Sequence, residues 1–210
     1  MPKAQAGIAE DHRGASPGKE PRTARGRETL RRLLDAAAAE FGERGFHEAS
    51  VSGITRRAGT ALGSFYTYFD SKDAIFSALV KDMSARVAIA AGEVIGTGAA
   101  GVDLERDVLK AFLDFARHNK EIYRIIDEAE FAAPESYRAH YAGAATRIAA
   151  RLDKGVASGS LRDGDNEVRA WAIMGMNVFL GLRFGVWDTS RSIDEIAAIA
   201  DSMLRDGLAR

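Results

Sequence analysis

Between Ser50 and Phe69 the chain places two short helical segments around one glycine-containing turn. Ser50 suits a helix N-cap, because its hydroxyl can accept from the open backbone amides of a first turn. Val51, Ile54 and Ala58 then form one apolar face, and Gly59 supplies the left-handed residue on which helices stop. A second segment, Ala61–Phe69, follows after almost no linker. Two short helices joined in this way describe a helix-turn-helix. Gly53 inside the first of them costs about 1 kcal/mol against Ala, which implies a locally soft element.

The flanking sequence keeps helical spacing. Leu30, Leu33, Leu34, Ala37, Ala38 and Phe41 make an apolar stripe that Gly42 and Gly45 end. Ser71 caps a longer helix with Asp73 in its first turn and Ile75, Leu79, Met83, Val87, Ala90 and Val94 on one side. After a break at Gly96–Gly101 come further helical stripes, with Pro134 opening one helix and the last two over 167–187 and 193–208. No strand and no internal repeat is legible. The expected fold is all-α: a flexible basic arm over 1–26, a helix-turn-helix head over 27–72, and a helical body over 73–210.

Composition narrows the partners. Hydrophobic residues are 46% and charged residues 28%, a globular balance, and the formal net charge is −1. The charge is unevenly spread, for residues 1–32 hold eight bases against four acids. The chain has no Cys, which excludes disulfides, thiolate metal sites and Cys nucleophiles. No apolar run approaches the ~20 residues of a bilayer span, and the first residues lack a secretory pattern. A soluble, cytoplasmic protein with no membrane contact is the expectation.

The order Gly45-Phe46, Ser50-Val51-x-x-Ile54, Arg56-x-Ala58-Gly59 and Gly63-Ser64-Phe65-Tyr66-x-Tyr68-Phe69-x-Ser71-Lys72-x-Ala74 resembles the DNA-binding head of the TetR (tetracycline-repressor) family of bacterial transcriptional regulators. The resemblance implies a recognition helix in the major groove of double-stranded DNA. It implies contacts from Thr60, Tyr66, Tyr68 and Lys72, and a helical body that binds an effector and dimerises. The residues support such a role on their own chemistry. The second helix of a helix-turn-helix fits the major groove. Phe65 and Phe69, four apart, anchor that helix inward, which turns Leu62, Ser64 and Thr67 outward. Gly63 permits close approach to the groove or to a neighbour. Tyr66 and Tyr68 carry hydroxyls able to reach phosphates, with ordinary core packing the alternative for both, and Lys72 stands where a helix N-terminus already attracts anions.

The chain departs from the family pattern at Thr60-Ala61, where Val-Ser is common, so Thr60 is expected to cap the recognition helix one residue early. Leu62 leaves that helix without Arg or Lys. Charge must then come from the arm, through Arg22, Arg25 and Arg27, unless the arm is merely a solubilising tail, or from Arg56 and Arg57. One of the last two could pair with Glu43 or Glu48, and Arg56 is favoured as the DNA contact. Ser50 and Ala61 complete the candidate interface.

The body offers an effector pocket built from Met83, Phe112, Phe115, Tyr123, Ile126 and Tyr137, with Tyr141, Met174 and Asn177. A packed core explains the same aromatics. The segment Trp171–Trp187 is apolar nearly all round and needs cover on every side. A second copy is the expected cover, through Trp171, Met174, Val178, Leu182 and Trp187 and, on the last helix, Ile196, Ala200, Met203 and Leu204. Gly175, Gly181 and Gly185 allow close helix approach, and Arg183 argues against a membrane span. Gly96–Gly101 satisfies G-x-G-x-x-G but lacks the βαβ context of a dinucleotide site, so it reads as a hinge. His12, His47, His118 and His140 have no metal-ligand spacing; His118 and His140 could line a cavity, but a surface or satisfied position is favoured, and Glu128 and Glu130 have no catalytic partner at fixed spacing. No catalytic residue, metal or cofactor is expected. The expected function is a homodimeric, ligand-responsive repressor on a palindromic operator, with the helix Ser71–Val94 as lever. The alternatives are an all-α carrier or enzyme whose head docks elsewhere, and a nonspecific nucleic-acid binder.

Overall fold

The computed structural model describes residues 21–95 and 99–208. Residues 1–20 of the expected arm over 1–26, with His12, and residues 96–98 of the expected hinge lie outside the described residues. Helices are the only regular elements among the described residues, and they run α1 Ala24–Glu48, α2 Val51–Ala58, α3 Leu62–Tyr68, α4 Lys72–Ile95 and α5 Gly101–His118. They continue with α6 Glu121–Ala132, α7 Pro134–Ala157, α8 Asn166–Gly181 and α9 Ile193–Leu208, with a π-helical segment Leu182–Trp187 extending α8.

Local chemistry accounts for the boundaries. Thr23 caps α1 by accepting from Gly26 N at 3.1 Å, so the first helix begins before residue 27 and takes Arg25 and Arg27 into its first turns. Gly42 does not end α1; it lies inside it, where a Cβ would come within 2.7 Å of Glu121 on α6. The break falls at Gly45, whose φ of 78° only glycine adopts readily. Ser50 accepts from Gly53 N at 3.0 Å and Gly59 closes α2 in the left-handed region, as expected. Ser71 accepts from Ala74 N at 3.0 Å and caps α4.

One hydrophobic cluster joins head and body. Leu33, Phe41, Ile54, Phe65, Phe69, Phe76 and Leu79 pack with Ile125 and Ile126 of α6. The expected division at 72/73 is thus crossed by shared core: α4 and α6 both reach under α1. A second cluster ties α5, α7 and α8 through Val102, Ile148, Leu152 and Ile173, and a third ties α5 to α9 through Leu109, Leu113, Ile196 and Ala197.

The apolar surface of α8 and α9 differs from the expectation in phase. Ile196 and Ala200 are buried in the chain's own core, and Met174 is buried beside Ile173. Val178 lines an internal cavity, and Leu182 and Leu204 are half-buried. The outward stripe is Val168, Trp171 and Phe179 with Trp187, joined by Ile199 and Met203. Trp187 and Phe179 are 70% and 71% exposed. Of the three glycines, only Gly175 faces open space; Gly181 sits against Phe112 and Gly185 against Ala116, where a Cβ would meet atoms at 2.8 and 3.2 Å. Asn166–Trp187 forms 22 helical residues with an 18-residue window of mean hydropathy 1.2, long and apolar enough to match a span by length and composition, contrary to the run-length expectation. It packs along α5 and α7, with Arg183 on its π-helical end.

Candidate nucleic-acid interface and ligand cavity

The head presents α3 as an outward ridge. Phe65 and Phe69 are buried, their ring centroids 5.7 Å apart, and hold the helix from beneath. This leaves Leu62 and Tyr66 about half exposed, beside exposed Gly63 and Thr67. These pairs lie four residues apart and so share one face. Ser64 is half-buried at the edge of that ridge, and Ala61 is exposed at its start. Among the described residues, nothing outside its own helical turn lies within 4 Å of where a Gly63 Cβ would stand, so the small residue answers no neighbour there. Thr67 Oγ1 donates to Gly63 O at 3.3 Å, a weak bond that a groove acceptor can replace. Among the described residues, Tyr66 makes an edge contact with Phe65 and its hydroxyl has no hydrogen-bond partner. Tyr68 is half-buried against the core and points its hydroxyl to the start of α1 near Gly26.

Three expected features change. Thr60 does not cap α3: the N-cap position is Ala61 with no side-chain bond, and Thr60 Oγ1 is buried without a partner. Lys72 spends its three donors on Phe46 O at 2.7 Å and on His47 O and Ala49 O at 3.2 Å, with its ammonium over the Phe46 ring. It clasps the end of α1 rather than offering a free ammonium to phosphate. Gly53 is not a point of softness. A Cβ there would collide with the carboxylate of Glu40, whose Cδ lies 2.6 Å from that position. Glu40 is 1% exposed and is held by Arg57 Nε at 2.7 Å and Arg44 Nε at 3.4 Å.

Arg57 also pairs with Glu43. That pairing draws the Arg57 guanidinium further up and the exposed Glu43 carboxyl down from their ordinary values. Arg56 remains exposed, with no ion-pair partner among the described residues. Arg27 is exposed on the first turn of α1. Arg27, Arg56, Tyr66 and Thr67 are each exposed and carry groups that can hydrogen-bond phosphates or base edges. A charged residue on the apolar stripe of α1 was the available sign of Glu40, which the sequence reading passed over.

Beneath the head, α6 and α4 connect it to a cavity of about 100 Å³ in the body. Arg124 donates to Gly42 O and Glu43 O at 3.2 and 3.0 Å, and Glu128 accepts from Phe46 N. Arg31 holds Asp82 of α4 in a bidentate pair at 2.7 and 2.9 Å. On their other faces, α6 lines the cavity with Ile122, Tyr123, Ile126 and Asp127, and α4 with Val87, Ala88 and Ala91.

Of the expected pocket residues, Phe112, Tyr123, Ile126, Tyr141, Met174 and Asn177 line this cavity. Met83, Phe115 and Tyr137 do not; they belong to the core joining head and body. Sequence spacing missed Arg147 and Arg151, while His140, for which a surface or satisfied position was favoured over a cavity wall, does line the cavity. Arg151 forms a bidentate pair with buried Glu105 at 2.6 and 2.7 Å, a partner 46 residues away that no local pattern announces. His140 Nδ1 lies 2.7 Å from Ser84 Oγ, whose one proton goes to Val80 O. Nδ1 therefore carries the proton and Nε2 stays an acceptor. Burial, then the nearby Arg147, lowers the His140 pKa to about 4, so the ring is neutral. Burial pushes Tyr123 up and Tyr141 up to about 12. Tyr123 donates to Val178 O at 2.9 Å. The walls are otherwise apolar. An engineered apolar cavity of ~150 Å³ binds benzene, so a larger ligand must part the helices.

Comparison with known proteins agrees with this geometry. Residues 33–79 match the family described as bacterial regulatory proteins, tetR family. An uncharacterized HTH-type transcriptional regulator of Bacillus subtilis, YdgC, is 40% identical over 105 residues, 48% of this chain and 54% of that protein. The chain thus spans about half the length of that curated relative. The HTH-type transcriptional repressor KstR2 of Rhodococcus jostii is 25% identical over 84% of this chain and 89% of its own. The crystal structure of the regulator FadR from Bacillus subtilis, in complex with stearoyl-CoA, superposes with a TM-score of 0.72 at 18% identity. It covers 83% of this chain and 96% of that one. By sequence the head matches the tetR family of bacterial regulatory proteins, and the described helices share the fold of solved regulators such as FadR.

Proposed function

We propose that this chain is a homodimeric repressor that binds a palindromic operator through α3 and releases it when a small molecule enters the body cavity. The observation that carries the reading is the ridge of α3. Leu62, Gly63, Tyr66 and Thr67 lie outward on a helix that Phe65 and Phe69 fix from within. Thr67 and the methyls of Leu62 would meet base edges, thymine methyls among them. Tyr66, Arg56 and Arg27 would hold phosphates, and the cap at Ser50 orients α2 across the backbone. Lys72 would act by keeping the end of α1 in place.

The stripe of Trp171, Phe179 and Trp187 on α8, with Ile199 and Met203 on α9, supports pairing with a second copy. Gly175, four residues from each of Trp171 and Phe179, lets two such helices approach closely. A two-fold dimer would set two α3 helices in successive major grooves about 34–36 Å apart. Repression by the relative KstR2 and ligand binding by FadR are consistent with the remainder of the reading.

Selection of bound fragments from genomic DNA tests this function. A symmetric site with half-sites one helical turn apart is expected, its occupancy lost when the cavity is filled. Binding that shows a steep salt dependence but no preferred site would replace the reading with a nonspecific one. Turnover or tight ligand binding with no DNA affinity would replace it with a carrier or enzyme.

A further inference from the structure

The polar groups of the cavity are unequally satisfied. Arg151 is neutralised by Glu105, and the Tyr123 hydroxyl is spent on Val178 O. Arg147, one turn before Arg151 on α7, has no carboxylate partner among the described residues. Burial and the like charge of Arg151 both act against its protonated form, and no acid offsets them. Asn177 Oδ1, in a side chain 8% exposed, is buried without a donor. The acid that lines the cavity, Asp127, lies on α6, where burial, then the nearby Glu130 and Glu128, raises its carboxyl above the ordinary value, and it makes no ion pair with Arg147 among the described residues. A buried acceptor left unpaired costs free energy that a complementary ligand recovers, and Arg147, exposed at the cavity wall, offers a cation with no acid beside it among the described residues.

We infer that the cavity takes a monoanionic, largely apolar hydroxy-carboxylic acid. Its carboxylate pairs with Arg147, its chain lies between Phe112, Ile126 and Met174, and its hydroxyl donates to Asn177 Oδ1. One uncompensated cation selects one negative charge. A coenzyme A ester would bring several phosphates to a wall whose other charged groups are already paired or acidic. This inference rests on the reading of the body as a ligand-binding module and specifies the ligand.

Calorimetric titration of the full chain tests it with a series of straight-chain acids from butanoate to decanoate. The series includes their mono-hydroxylated derivatives with the hydroxyl at successive carbons, the matching alcohols and octanoyl-CoA. The best acid should bind about tenfold or more tighter than its alcohol, and a hydroxylated acid about threefold or more tighter than its parent. Arg147→Gln, at a side chain exposed enough to leave folding intact, should erase the preference for acid over alcohol, and Arg147→Lys should restore part of it. Asn177→Leu should erase the gain from the hydroxyl while leaving the acid preference. Equal binding of acid and alcohol overturns the inference, as do tighter binding of the coenzyme A ester, no gain from any hydroxyl, and no binding at all. The same samples are titrated with the selected duplex. If the duplex binds and the acids fail, only the ligand assignment falls; if the duplex itself is ignored, the regulatory reading beneath it falls.

Discussion

Gly53 and Glu40 show how a single contact reverses an ordinary rule. Gly→Ala inside a helix usually stabilises by about 1 kcal/mol. Here the new methyl would enter a carboxylate that Arg57 and Arg44 hold in place. Gly53→Ala should therefore destabilise the head by about 1–3 kcal/mol, measured by urea unfolding. Glu40→Ala in the same chain should recover part of the loss. His140 sets a second residue-scale expectation. Its folded pKa is lowered to about 4 from an ordinary 6.5, so the unfolded chain binds more protons between those values. Stability from this group is complete above pH 6.5 and is lost as pH falls toward 4. About 2 kcal/mol should be gone by pH 5. His140→Gln should flatten that slope in unfolding curves at pH 7.5 and 5. On the DNA face, Thr67→Ala should relax preference at particular base pairs by about 1 kcal/mol or more. Tyr66→Phe should weaken all sequences alike; competition binding with variant duplexes separates the two.

At the scale of elements, helix existence was legible and helix phase was not always so. The caps at Ser50 and Ser71, the stop at Gly59 and the inward Phe65 and Phe69 follow from residue type and spacing, because each acts within one or two turns. The facing of α9 did not follow. Ile196, Ala200 and Met203 all read as apolar in sequence, and only packing against Leu109 and Leu113 turns the first two inward and leaves Met203 out. The cavity was half legible: its aromatics stood out, but Arg147, Arg151 and His140 look like surface helix residues until α5 and α4 bring Glu105 and Ser84 beside them. The stripe on α8 and α9 is the element whose purpose is easiest to test. Phe179→Asp or Trp171→Glu should convert a dimer to a monomer in sedimentation equilibrium without loss of helix content, since both side chains are exposed on the protomer. A dimer that survives both changes would place the interface elsewhere.

For the whole molecule, the expected lever was α4 alone. The structure adds α6, whose one face holds the end of α1 through Arg124 and Glu128 while its other lines the cavity with Ile122 and Ile126. A ligand that parts the body helices would move both supports of the head. Converting a population from 99:1 bound-competent to 1:99 needs about 5.5 kcal/mol of preference for the released state. Cutting one support with Arg124→Ala should leave the fold intact and reduce the ligand's effect on operator affinity by about fivefold or more, read by fluorescence anisotropy with and without ligand. The claim on which all of this depends is that α3 lies in the major groove. Hydroxyl-radical footprinting of the full chain on its selected duplex tests it most directly. The account predicts two symmetric protected patches on one face of the duplex, one helical turn apart, which fade at Thr67→Ala-sensitive positions. A duplex cleaved evenly along its length, even at low salt, would contradict it.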